Sequence, residues 1–271
     1  MRIKRSKERN LYFQKPILVF FSIVLLTTFA LFCQVPNYHY KAYQKGEVLE
    51  YNIHYGLINA GKIVMKVENN YVGLFNQKLL QFSSTGTTYT GWDLFYKVRD
   101  YYASYIDTNS LFPVYSIRNI DEGGYISNEY VIYKRDRGIV NCNNIDQKIP
   151  RDIFDILSAF YYARCFDFNK IPLNTEIRFN TFFEKELFKI GIIYEGKTLV
   201  KTKLGTFNCL IIRPTLVQGR VFKGQKDMTL FVSDDKNHVP IRIETAIFVG
   251  YVQSDLVKFQ NLKYPLTSRI Q

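Results

Sequence analysis

The feature that most constrains the fold is a period-two alternation of apolar and polar residues. It begins after Tyr43, where Leu49, Tyr51, Ile53 and Tyr55 alternate with polar neighbours, and it recurs along most of the remaining chain. Successive side chains of a β-strand point to opposite faces, so this period predicts strands with one face in a core. Aromatic residues make up 16% of the chain, with 21 Tyr and 22 Phe, and they favour the same pleated surfaces.

Short polar turns separate the predicted strands. Turn residues cluster at 107–109 and 121–124, and the segment from Leu79 to Val140 contains no pattern of a crossover helix. Strands joined in this way form an antiparallel meander and not parallel βαβ units.

One segment has a helical period instead. In KIPRDIFDILSAFYYARCF the apolar spacing predicts a helix around 151–164. The apolar stripe along this helix consists of Ile153, Ile156, Leu157, Phe160 and Tyr161. We expect these side chains to face either the core or a ligand. We expect Asp155 and Ser158 to cap the helix and Arg164 to form a surface ion pair.

These patterns predict a mainly β protein. We expect a large curved antiparallel sheet, as a half-barrel or as two lobes, packed on that helix.

The predicted organisation is a signal peptide or N-terminal membrane anchor at 1–33, a linker at 34–44, a single β-rich envelope domain at 45–262 and a C-terminal tail at 263–271.

The amino terminus has the pattern of an export signal. A segment with six basic residues and one acid precedes and flanks the apolar run from Pro16 to Cys33. The run is also long enough to act as an uncleaved anchor, which would associate the protein with the membrane. Phe32 stands where a lipoprotein signal needs a small residue, so we favour export to the periplasm or the membrane-associated envelope without lipidation.

Charge and cysteine usage exclude several classes of function. The net charge is +12, but no Lys/Arg run follows residue 33, so we predict no nucleic-acid partner. Cys142, Cys165 and Cys209 lack the paired spacing of a metal knuckle, and we expect buried free thiols. No dinucleotide, nucleotide or serine-hydrolase motif is present, and we predict no cofactor, metal or catalytic residue.

The stretch SDDKNH, residues 233–238, gathers a hydroxyl, two carboxylates and an imidazole between two apolar runs. Asp and Asn favour turns, and Pro240 suits the start of a strand. We therefore interpret the stretch as the exposed turn of a β-hairpin and not as a metal or catalytic site.

Several motifs together resemble a known family. They are G-E-x-L-x-Y from Gly46 to Gly61, D-I-x-S-A-x-Y-Y-x-R from Asp155 to Arg164, G-x-F-x-C from Gly205 to Cys209, and the hairpin LFVSDDKNHVPIRIE. This set resembles the bacterial domain-of-unknown-function family 3108, a group of exported envelope proteins. The resemblance covers most of the chain and implies no catalytic residues, because the family has no assigned activity.

The last hairpin is also similar to that of LolA-type periplasmic lipoprotein carriers. That similarity implies a curved antiparallel sheet over helices and an apolar cavity for acyl chains. From these observations we expect a non-enzymatic envelope protein that binds an apolar or lipid-like ligand or an envelope protein partner. The alternatives are an assembly factor of the envelope and an enzyme that acts on envelope glycans or lipids.

Overall fold

The computed structural model describes residues 40–216, 228–246 and 250–270. Within them, fifteen strands form one sheet and a single α-helix, α1, spans Ile156–Ala163. The export segment predicted at 1–33 lies outside the described residues. No helix in the described part of the chain is both long and apolar enough to cross a bilayer.

The strands follow the predicted alternation. Their bounds are β1 Val48–Tyr55, β2 Ile58–Leu74, β3 Gln77–Thr88, β4 Arg99–Asp107, β5 Pro113–Glu122, β6 Tyr125–Lys134, β7 Ile139–Cys142, β8 Ile145–Lys148, β9 Ile153–Phe154, β10 Glu176–Phe183, β11 Glu186–Thr202, β12 Gly205–Leu216, β13 Met228–Ser233, β14 Pro240–Ala246 and β15 Tyr251–Gln260.

The sheet is a meander with strand β1 at its centre and the other strands on both sides of it. Strand β1 pairs with both β2 and β15, and the order across the sheet is 8-7-6-5-4-3-2-1-15-14-13-12-11-10-9. Neighbouring strands are antiparallel except β9 and β10, which pair in parallel through two residues. Helix α1 lies on the connection between those two strands, because a parallel pair needs a crossover.

The helix is shorter than predicted. Asp155 has an extended backbone, and its Oδ1 accepts hydrogen bonds from the backbone N–H groups of Leu157 and Ser158, both at 2.9 Å. Ser158 Oγ accepts in turn from the backbone N–H of Asp155, so the predicted capping by both residues is confirmed. Because the extended cap starts the helix at Ile156, the prediction that Ile153 belongs to the helix is wrong; it lies on β9.

The sheet curls until its two edges approach each other. Edge strands β8 and β9 are separated by only residues 149–152, although they stand at opposite ends of the strand order. Gln147 on β8 donates to the backbone oxygen of Lys185 in the β10–β11 turn, at 3.2 Å. Apolar side chains from both edges, including Val140, Ile153 and Phe182, form a shared cluster. The predicted curved sheet around one helix is therefore confirmed.

Helix α1 packs inside the curl, where it contacts β3, β4 and β10. Tyr161 is fully buried and stacks on Phe82 of β3 with ring centroids 4.0 Å apart. Tyr43 meets both rings edge-on, although it precedes the first strand. The principal core is thus formed by one face of the helix and the concave face of the sheet.

Both segments that flank the strands pack against them. Ala42 and Tyr43, in the predicted linker, are buried in the core. In the predicted tail, the backbone N–H of Ile270 donates to the carbonyl oxygen of Thr206 at 2.9 Å. These contacts extend the packed structure beyond the first and last strands.

Arg164 ends the helix and is buried, so the prediction of a surface ion pair is wrong. Its two terminal guanidinium nitrogens donate to both carboxylate oxygens of Glu47, at 2.6 and 3.0 Å, and Glu47 is also fully buried. Arg164 Nε and one terminal nitrogen also donate to the backbone oxygen of Asn237, at 3.1 and 3.0 Å. Because the guanidinium is planar and can bond bidentately, it joins the helix, the chain before β1 and the β13–β14 turn.

We expect Arg164→Met to lower the free energy of unfolding by about 3–5 kcal/mol, because it leaves Glu47 as an unpaired buried charge. The double variant Arg164→Met with Glu47→Leu removes both charges and is expected to recover much of that loss. Chemical denaturation of the two variants and of the unchanged protein measures the difference. A single variant as stable as the unchanged protein would contradict the role of this ion pair.

Candidate functional site

An apolar pocket lies between helix α1 and the β11–β13 part of the sheet. It is a pocket of about 270 Å³. Its walls are aliphatic and aromatic side chains, among them Phe160 of the helix, Ile190 and Ile192 of β11, Ile212 of β12 and Leu230 of β13. Because alternate residues of a strand face the same side, these positions form one continuous inner surface.

The structure divides the predicted helix stripe between this pocket and the core. Ile156 and Phe160 line the pocket. Leu157 and Tyr161 are buried in the core on the other side of the helix, and Ile153 is buried on β9. The stripe is therefore divided between the core and the wall of the pocket, and contact of Ile156 and Phe160 with a ligand stays a prediction.

Two polar residues, Arg164 and His238, stand at the end of the pocket next to the β13–β14 turn. Arg164 is held by Glu47 and Asn237 as described above. His238 Nδ1 lies 2.7 Å from the backbone oxygen of Arg164 and 3.3 Å from the hydroxyl of Tyr40. Burial lowers the pKa of His238, which favours the neutral imidazole. This end of the pocket therefore offers little uncompensated charge.

The stretch SDDKNH forms the β13–β14 turn, which confirms the predicted hairpin. Its exposure is not as expected, because Ser233 and Asn237 are fully buried. Asn237 donates to the backbone oxygen of Tyr264 at 3.0 Å, and Asp235 accepts from the backbone N–H of Ser268 at 3.2 Å. The turn is polar because it bonds to the carboxyl-terminal segment and to the helix end, and not because it is surrounded by solvent.

A polar depression lies on the other side of His238. Its volume is about 580 Å³, and Tyr40, Asp167, Asp235 and Tyr264 contribute to its walls. The imidazole of His238 thus separates an apolar pocket from a polar one. In the described residues, no group of three His, Cys, Asp or Glu side chains is arranged to hold a metal ion.

A pair of carboxyl groups lies on the opposite arm of the sheet. Asp100 of β4 and Glu122 of β5 are within hydrogen-bonding reach of each other. Burial, followed by the contact with Glu122, raises the pKa of Asp100 to about 7. The raised value has a physical cause, since a buried carboxyl group next to another acid ionises less readily.

Several of these features are not evident in the sequence. Glu47 is part of the quoted G-E-x-L motif, but nothing local indicates that it pairs with a residue 117 positions away. The contact of Asp100 with Glu122 depends on the register of β4 and β5, which the sequence does not show. The alternation indicated which residues of β11–β13 face inward, but not that a space remains between them and the helix.

Cys142, Cys165 and Cys209, the cysteines among the described residues, are free and buried, as expected. Burial raises the pKa of Cys165 and, to about 12, that of Cys209. The raised pKa values keep both thiols protonated and unreactive at neutral pH. They act as small apolar side chains of the core.

The fold and the pocket together define a class: a curled antiparallel meander that holds one helix and leaves an apolar pocket beside it. A family model described as "Protein of unknown function (DUF3108)" matches residues 50–257. The chain belongs to this family, which confirms the resemblance seen in its motifs. No curated protein matches the sequence.

Among solved structures, the chain is similar to a beta-barrel-like protein of the domain-of-unknown-function family 1849 from Brucella abortus. The TM-score is 0.52 at 8% identity, over 81% of this chain and 99% of that one. This likeness shows the fold alone.

Two further structures match less well. One is from Parabacteroides distasonis and provisionally assigned as a lipoprotein, with a TM-score of 0.35 at 12% identity over 83% and 97% of the two chains. The other is from Bacteroides fragilis, provisionally assigned as exported and with a YmcC-like fold, with a TM-score of 0.33 at 11% identity over 80% and 97%. Neither score carries an argument about this protein.

The carboxyl pair predicts a pH dependence of stability. The pKa of Asp100 rises from 3.8 to about 7 on folding. The folded state therefore binds more protons here than the unfolded chain between about pH 4 and 7, and this stabilisation is lost as the pH rises through 7. We expect Asp100→Asn to show a smaller fall in the free energy of unfolding between pH 5 and pH 8 than the unchanged protein.

Denaturation at the two pH values measures this difference. Asp136→Asn, at an exposed acid after β6, serves as the matched control. We expect it to show the same fall in the free energy of unfolding between pH 5 and pH 8 as the unchanged protein. An equal fall in the Asp100→Asn variant would show that folding does not raise the pKa of Asp100.

Proposed function

We propose that this protein is an exported cell-envelope protein whose β-sheet domain binds an apolar or lipid-like ligand in the pocket beside helix α1. The observation that carries the proposal is the pocket itself, with about 270 Å³ and a lining of apolar side chains apart from Arg164 and His238. The basic and apolar pattern of residues 1–33 supports export.

The chemistry of the lining favours an alkyl chain over a polar ligand. Burying a methylene group contributes about 0.8 kcal/mol, whereas a polar group without a partner is costly to bury. Arg164 is occupied by Glu47 and Asn237, so it is not available as a counter-ion deep in the pocket. A ligand with an apolar chain inside and its polar group near the opening matches this distribution.

The arrangement of acids does not favour the alternative of a glycan-cleaving enzyme. Glycosidases hold their two carboxyl groups about 5–5.5 Å apart when retaining and about 6.5–9.5 Å apart when inverting. Asp100 and Glu122 lie close enough to share a hydrogen bond, which leaves no room for a substrate oxygen between them. This pair therefore does not support a glycosidase, whereas the apolar pocket supports a binding protein.

The pocket predicts that the affinity for a ligand depends on the length of the ligand's alkyl chain. For a series of saturated fatty acids that displace a fluorescent apolar probe, each added methylene is expected to raise affinity about fourfold, corresponding to about 0.8 kcal/mol. The increase stops when the chain fills the pocket. Native mass spectrometry of the purified protein provides an independent measurement of bound lipid.

Ala163→Phe tests whether the pocket is the binding site, since Ala163 lines it and the larger ring occupies its volume. We expect this variant to lose probe binding. Ala246→Phe on β14, outside the pocket lining, makes the same change as a control and is expected to bind as before. Probe binding that survives Ala163→Phe, or that does not increase with chain length, would contradict the proposal.

A further inference from the structure

Three neighbouring turns of the sheet carry unusually exposed large apolar side chains. Leu57, in the β1–β2 turn, is fully exposed, and Leu94 and Phe95, in the β3–β4 connection, are 87% and 82% exposed. Tyr125 and Ile126, after the β5–β6 turn, are 61% and 68% exposed. We call these three turns, residues 55–58, 89–97 and 123–126, the tip rim. Several exposed apolar side chains grouped at one end of a sheet usually mark an interaction site.

The topology places the three turns at one end of the sheet. Strands β1 to β6 are consecutive and antiparallel, so the β1–β2, β3–β4 and β5–β6 turns all lie at the same end. Lys41 lies at the other end, where its ammonium group donates to the backbone oxygen of Thr108 in the β4–β5 turn at 2.7 Å. The tip rim and Lys41 are therefore at opposite ends of these strands.

Hydrogen bonds and packing connect the three turns to one another. The indole N–H of Trp92 donates to the backbone oxygen of Asn59 at 2.8 Å, which joins the second turn to the first. The backbone N–H of Gly123 donates to the oxygen of Lys97 at 2.8 Å. A Cβ atom at Gly123 would lie 2.4 Å from the ring of Tyr96, so the third turn packs closely on the second. The apolar tips are thus held in position before any partner binds.

The charged residues of the tip rim are largely paired with nearby strand residues. Asp93 bonds to Arg99, and Lys97 bonds to Asp121 at 2.7 Å. Within residues 55–58, 89–97 and 123–126 the only charged residues are Asp93 and Lys97, so the tip rim itself has no net charge that would recruit a charged partner. The exposed apolar side chains belong to three different turns, and a rigid protein partner would need a surface complementary to each. A fluid apolar surface can surround each tip without such complementarity.

We propose that the tip rim is a docking surface for a lipid bilayer. Leu57, Leu94 and Phe95 enter the boundary between headgroups and acyl chains, while Trp92 and Tyr96 lie at the level of the headgroups, where amphipathic rings are favoured. The inference is independent of the pocket, because the tip rim and the pocket lining have no residue in common.

Trp92 is the only tryptophan of the chain, so its fluorescence reports directly on the tip rim. The full chain is mixed with vesicles of phosphatidylethanolamine and phosphatidylglycerol that contain phosphatidylcholine with brominated acyl chains. We expect a blue shift of the Trp92 emission and loss of most of its intensity. Attachment through residues 16–33 alone would bind the chain to vesicles, as flotation measures, without quenching Trp92.

The triple variant Leu57→Asp, Leu94→Asp, Phe95→Asp is expected to lose the quenching and to keep its circular dichroism spectrum, because the three side chains are exposed. The matched control is Leu199→Asp on β11, at a leucine that is 60% exposed and lies outside the tip rim, and we expect it to be quenched like the unchanged protein. Vesicle-bound protein with unquenched Trp92 would overturn the proposal. A concentration-dependent shift of Trp92 without lipid, lost in the triple variant, would instead assign the tip rim to contact between copies of the chain.

Discussion

The buried ion pair between Arg164 and Glu47 is the interaction on which the arrangement of this protein depends. Each charge loses its hydration on burial, and that cost is offset only because the bidentate geometry and the carbonyl oxygen of Asn237 satisfy the guanidinium. The three groups belong to the end of the helix, the chain before β1 and the β13–β14 turn. Their mutual bonding therefore brings together parts of the chain that the hydrogen bonds of the sheet do not connect.

The position of the helix follows from this constraint and from a second one at its other end. Asp155 caps the first turn and accepts a hydrogen bond from Ser104 of β4 at 2.6 Å. Held at both ends, the helix packs Leu157 and Tyr161 into the core and presents Ile156 and Phe160 to the opposite arm of the sheet. The pocket exists because the sheet curls around the helix without contacting that second face completely. One amphipathic helix thus stabilises the core and forms a wall of the proposed binding site.

How far the site could be predicted differs from residue to residue. The capping role of Asp155 was predictable because it involves only residues two and three positions away. The hairpin at SDDKNH was predictable from its flanking alternation, but the burial of Asn237 and His238 was not, since it depends on the helix end and on the segment around Tyr264. Arg164 was assigned to the surface for the same reason: the residues that bury it are distant in sequence.

The sequence by itself determined the strands, the hairpin turns, the capping of the helix and the family. These are consequences of side-chain periodicity and of hydrogen bonds between near neighbours, which any short segment displays. Only the tertiary structure decided that the two edges of the sheet approach each other, that Glu47 meets Arg164, that Asp100 lies beside Glu122 and that a pocket remains beside Phe160. Those features arise only when strands that are far apart in the chain come together in the curled sheet. The burial of apolar surface stabilises such contacts, and the entropy lost in closing long loops opposes them.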